Sequence, residues 1–115
     1  MSLNDALWIG AIVLAVVVFL GRSRGSISGA QARALVSAGA RLIDVRSRGE
    51  FDSGHLTGAK NIPAAELDRR TSELGARDKP LVLYCASGMR SAAAAATLRR
   101  GGFTQVHNLG SMRRW

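Results

Sequence analysis

The sequence predicts an α/β domain with a mostly parallel central sheet, preceded by one N-terminal hydrophobic helix. Two observations predict the domain. Short apolar runs such as Leu42-Ile43-Asp44-Val45 and Leu81-Val82-Leu83-Tyr84 alternate with segments carrying helix caps, and alternating strands and helices pack as a parallel sheet covered by helices. A third observation predicts the leading helix: residues 6–21 carry no charge.

As a helix, the apolar segment would reach roughly 24 Å at about 1.5 Å per residue. A hydrocarbon core is about 30 Å thick, so Leu3, the flanking arginines and bilayer thinning would have to close the gap. Residues 1–5 contain no Lys or Arg, whereas Arg22 and Arg24 follow the segment at once. That bias favours an uncleaved single-pass anchor with the downstream domain in the cytoplasm. A cleaved signal peptide, giving a secreted or periplasmic domain, is the rival reading, and a buried core helix is the third. Residues 1–21 are thus read as the anchor, 22–26 as a Gly, Ser and Arg linker, and 27–115 as one domain.

Within the domain, Ser28 caps a helix over residues 31–37 that ends at Gly39, and residues 41–45 form a buried strand. Ser47 and Glu50 have capping-box spacing and open a short helix through Asp52, which Gly54 ends. Asn61-Ile62-Pro63 is a turn or strand edge, and a helix over about residues 65–74 follows with its charges facing water. Asp78-Lys79-Pro80 turns the chain into the strand at 81–84. An alanine-rich helix spans 91–100, where Arg99 and Arg100 suit the negative end and Gly101-Gly102 terminates it. Residues 105–108 make a last short strand.

Cys85 is the single cysteine in 115 residues. It lies where a strand ends and a helix begins, beside unpaired N–H groups and the positive end of the helix dipole, which stabilise an anion. The small residues of Cys85-Ala86-Ser87-Gly88-Met89-Arg90 let the backbone curl around the sulfur, and Arg90 adds a permanent positive charge. These surroundings lower a thiol pKa below about 8.5. The bland alternative is an inert buried cysteine, and a sulfur sealed from solvent would speak for it. His55 and His107 are the only histidines; neither is close enough in sequence to suggest a Cys-His pair, and no metal or cofactor is expected.

The formal charge of +8 invites a nucleic-acid reading, but aromatics total 5% and the arginines are interspersed with acids, so no nucleic-acid partner is expected. A small anionic substrate or an anionic membrane surface suits the charge better.

Two stretches resemble the rhodanese, or thiosulfate sulfurtransferase, family: residues 42–46 with 50–63, and the loop from Tyr84 to Ser91. Thr57 departs from the pattern, where the family often has proline. The resemblance implies a three-layer rhodanese-like domain in which Cys85 takes a sulfane sulfur from a small anionic donor such as thiosulfate. The resulting persulfide passes that sulfur to a thiol, cyanide or protein acceptor. It further implies that the loop amides from Ala86 to Arg90 hold the charged sulfur, that Arg90 helps to bind the donor, and that Ser87 and Met89 shape the mouth. Asp44, Arg46, Glu50 and His55 fall in family positions that read as scaffold. A membrane-tethered binding or sensing module without turnover is the alternative function. A phosphatase is disfavoured because four residues, rather than five, separate Cys85 from Arg90.

Overall fold

A computed structural model describes residues 25–115. The apolar segment at 6–21 and most of the linker expected at 22–26 lie outside the described residues. Among the described residues no helix is long and apolar enough to cross a membrane.

Four parallel strands form one sheet in the order β2-β1-β3-β4: β1 (Arg41–Asp44), β2 (Lys60–Asn61), β3 (Leu81–Cys85) and β4 (Val106–Ser111). The central strand β3 is buried along its whole length, as a strand covered on both faces must be. Its alternation sorts the core into two layers. Leu81, Leu83 and Cys85 join Ala94, Ala95 and Leu98 of helix α3 (Met89–Arg100) on one face. Val82 and Tyr84 join Ala32 of helix α1 (Gly29–Ser37) and Leu109 on the other. The three layers of the α/β expectation are therefore present.

Local signals act where the sequence places them. Ser28 and Gln31 form a reciprocal capping box at α1, and Ser47 and Glu50 form another at α2 (Arg48–Asp52). Ile27 is tied to the sheet edge by donating its N–H to the Asn108 carbonyl at 2.8 Å.

Three expectations need correction. Residues 65–74 are not one α-helix but two 3₁₀ segments, Ala64–Arg69 and Thr71–Leu74, broken at Arg70 with φ −120°. Their charges do not simply face water either. Glu73 pairs with Arg70 at 2.6 Å and with Lys60 at 3.0 Å, while Arg41 donates to the Glu73 carbonyl at 3.2 Å. Strand β4 extends to Ser111 rather than stopping at Asn108: the register shifts at Leu109, the extra residue on β4, and Gly110 and Ser111 then pair with Tyr84 and Cys85. A short 3₁₀ turn, Met112–Arg114, then follows, which the sequence did not suggest.

The chain runs from β1 to β2 on one side and then crosses back to β3 on the other, so the switch point lies at the carboxyl ends of β1 and β3. Ligand sites of open parallel sheets form there. Asp44 ends β1, and Arg46 and Glu50 follow it; Cys85 ends β3, and the loop to Arg90 follows.

Candidate active site

Cys85 closes β3, and Gly88, at φ +97° and ψ −10°, turns the chain into α3. That left-handed turn brings the Gly88 N–H to 3.0 Å from Cys85 Sγ, to which it donates. Ser91, fully buried in the first turn of α3, places its Oγ 3.5 Å from the same sulfur. Burial by itself pushes the thiol upward, but the Ser91 hydroxyl and the amides of Ser91, Gly88 and Ser87 outweigh it, and the Cys85 pKa falls below its ordinary value.

Ser91 has a single hydroxyl proton and two acceptors for it, since its Oγ also donates to the Gly88 carbonyl at 3.1 Å. With Cys85 as a thiol, the S–H can point to Oγ while Oγ–H points to Gly88. With Cys85 as a thiolate, Oγ–H turns to the sulfur. Ser91 lies just outside the loop expected to hold the sulfur. Its position six residues after Cys85, directly after Arg90 in the first turn of the helix, is the signal that would have found it.

Cys85 exposes no surface, so it fails the simplest expectation for a reactive thiol. The residues that follow it in the loop are open: Ala86 and Ser87 are exposed, and Met89 is 79% exposed, the large apolar residue most open to solvent among the described residues.

Arg90 is not an open cation. Its guanidinium makes a bidentate pair with Glu50, Nη1 donating to Oε1 at 2.7 Å and Nη2 to Oε2 at 3.0 Å. Glu50 also accepts from the Ser47 N–H at 3.2 Å and hydroxyl at 3.0 Å. The Arg90 pair first, and then the Ser47 cap, hold its carboxyl at about 2. Glu50, read from sequence as scaffold, thus reaches the loop. The other scaffold positions behave differently. Asp44 and Arg46 form a buried ion pair at 2.8 Å, and His55 stacks on Phe51 with 3.7 Å between ring centroids while its Nδ1 lies 3.0 Å from the Phe51 carbonyl. His107 is half-buried on β4, where desolvation pushes its imidazole downward.

A cleft of 380 Å³ lies between α2 and the first 3₁₀ segment, lined by Arg48, Phe51, Asn61, Pro63, Glu66 and Arg70, and does not include the Cys85 loop. No group of three or more His, Cys, Asp or Glu among the described residues is arranged to hold a metal.

The rhodanese-like domain family matches residues 17–115. An uncharacterised Bacillus subtilis protein, YqhL, is 48% identical over 77 residues, covering 66% of this chain but only 60% of that protein. The thiosulfate:glutathione sulfurtransferase of Homo sapiens is 35% identical over 105 residues, covering 78% of this chain and 91% of the human protein. Among solved structures, the human single-domain sulfurtransferase TSTD1 superposes with a TM-score of 0.67 at 33% identity, over 78% of this chain and 93% of its own. With its parallel four-stranded sheet and the span of residues matched, this chain belongs to the rhodanese-like domain family.

Proposed function

We propose that this domain is a sulfurtransferase that carries a sulfane sulfur as a persulfide on Cys85. One observation carries the reading: Sγ ends a buried strand at the N-terminus of a twelve-residue helix, with an amide at 3.0 Å and a hydroxyl at 3.5 Å favouring its thiolate. The human relative named for thiosulfate and glutathione supports both the donor class and a thiol acceptor.

The chemistry balances without a cofactor. The Cys85 thiolate attacks the outer sulfur of thiosulfate, the S–S bond breaks, and sulfite leaves with the electron pair. An acceptor thiolate then attacks the terminal sulfur of the Cys85 persulfide and regenerates the thiolate. The amides of Ser87, Gly88 and Ser91 hold the negative sulfur in both resting states. Because Cys85 exposes no surface, the loop has to move for the donor to reach the sulfur.

Intact-mass measurement of the native full chain with thiosulfate tests this. A gain of about 32 Da is expected in the unsubstituted chain and none in Cys85→Ser, since the addition requires a nucleophilic thiolate. No gain in the native chain sinks the reading. The sealed sulfur favours one other reading, a binding or sensing module without turnover, and the same negative result would support it.

The localisation we propose is a single-pass anchor at residues 6–21 with the domain on the cytoplasmic side, on the basis of the uncharged run and the arginines that follow it. The full chain is expected to stay with membranes through carbonate extraction, and a chain lacking residues 1–21 to be released. Release of both would discard the anchor.

A further inference from the structure

Four arginines on the segments that follow β1, β2 and β3 are each matched by a carboxylate, Arg90 being the one within the Cys85 loop. Arg46 pairs with Asp44, Arg48 with Asp52 at 3.0 Å, Arg70 with Glu73, and Arg90 with Glu50. The cation that the loop itself carries, Arg90, is therefore matched by a carboxylate. Arg90 is the decisive case. It stands in the first turn of α3, five residues after Cys85 and near enough to feel the charge of that sulfur, and both of its terminal nitrogens donate to one carboxylate. Glu50 in turn is anchored to Ser47 and remains ionised across the physiological range.

We propose that Glu50 is the specificity-determining residue of the donor step: by neutralising Arg90 it biases the Cys85 loop toward monoanionic sulfane-sulfur donors and against dianionic ones. The proposal rests on the sulfur-transfer reading and adds to it the charge class of the donor. A dianion approaching the loop meets a guanidinium whose field is cancelled by a carboxylate about a hydrogen-bond length away, so the second negative charge gains little there. A monoanion with the same S–S chemistry loses less. The acid acts through Arg90 rather than on the sulfur, which makes it a positioning and screening residue.

Two donors separate charge from chemistry. Thiosulfate is a dianion, and methanethiosulfonate is a monoanion that delivers its outer sulfur in the same way, with methanesulfinate leaving. The quantity to measure is the ratio of their second-order rates of persulfide formation on the full chain. Glu50→Gln keeps a residue that the capping box accepts, and removes the charge together with one of the two acceptors of the Arg90 pair. The ratio of thiosulfate to methanethiosulfonate is expected to rise about three- to tenfold in this variant, the effect of one unit charge on one extra unit charge at a half-exposed site. Added salt should shrink that rise, since exposed charges are screened. Glu50→Asp keeps the charge while altering the pair geometry, and should leave the ratio where it was. Ser47→Ala, which weakens the cap without touching charge, should do the same.

A ratio unmoved or lowered in Glu50→Gln, or raised equally in Glu50→Asp, overturns the charge-selection role while sulfur transfer stands. Failure of both donors to form a persulfide on the unsubstituted chain is a different result: it removes the sulfur-transfer reading and this inference with it.

Discussion

Asp44→Ala is expected to destabilise the domain by about 3–5 kcal/mol, the range for removing one partner of a buried ion pair. Asp44 is 0% exposed and Arg46 is 7% exposed. The carboxylate accepts the Arg46 backbone N–H at 2.9 Å, Nε at 3.0 and 3.1 Å, and Nη2 at 2.8 Å. Without it, the guanidinium keeps the Gly54 carbonyl at 2.6 Å and the Tyr84 ring at 5.9 Å, which cannot neutralise a buried charge. In a domain of this size each 1 kcal/mol shifts the unfolding midpoint by about 4–8 °C, so a fall of about 12 °C or more is expected in a thermal melt. Asp44→Asn, which keeps the shape and one of the two acceptor oxygens, should fall between. A loss under about 1 kcal/mol for Asp44→Ala would mean that water reaches the pair as it does at a surface bridge. The consequence extends to the site, because Arg46 leads directly into the Ser47 cap that fixes Glu50.

That same stretch shows why some of the architecture was legible and some was not. Ser47 and Glu50 are three residues apart, and a cap is a local device whose two halves are both visible in a short window. Strand runs such as 81–84 are legible for a similar reason, because continuous burial demands continuous apolarity. Glu50 and Arg90 are forty residues apart and meet only because β1 and β3 are neighbours in the sheet. Nothing in the spacing announces the pair, so Glu50 read as a cap and Arg90 as an open anion-binding cation.

The 3₁₀ segments fail for another reason. Leu67 and Leu74 are both buried, as one amphipathic helix would also have them, but the intervening Thr71-Ser72 is a weak helix former. The Glu73 carbonyl is claimed by Arg41 from another element, and Glu73 and Arg70 by their mutual pair, so tertiary contacts override a helical pattern that the sequence presented correctly.

Gly88→Val should reduce persulfide formation at pH 7 by about ten- to a hundredfold, corresponding to a rise of about one to two units in the Cys85 pKa. Valine disfavours φ +97° strongly, and a Cβ at this position would lie 3.2 Å from the Cα of Gly110, which is backbone and cannot rotate away. The turn must open, and the 3.0 Å hydrogen bond from the Gly88 N–H to Sγ opens with it. Losing an N–H that favours the thiolate raises the thiol pKa, so the rate-against-pH curve should shift to higher pH and the deficit should shrink in alkaline buffer. A generalised loss of stability would not do this. Gly39→Val supplies the comparison, for Gly39 has φ +110° and open space, with nothing within 4 Å, where a Cβ would stand. It carries a comparable backbone penalty of about 1–3 kcal/mol but sits beyond the end of α1, away from the sulfur. If the two variants lose persulfide formation equally, or if Gly88→Val retains the unsubstituted pH curve, the Gly88 amide is not what stabilises the Cys85 thiolate. A shifted curve in Gly88→Val alone ties the turn to the ionisation of the sulfur, which is the step on which both the persulfide chemistry and its selection of donors depend.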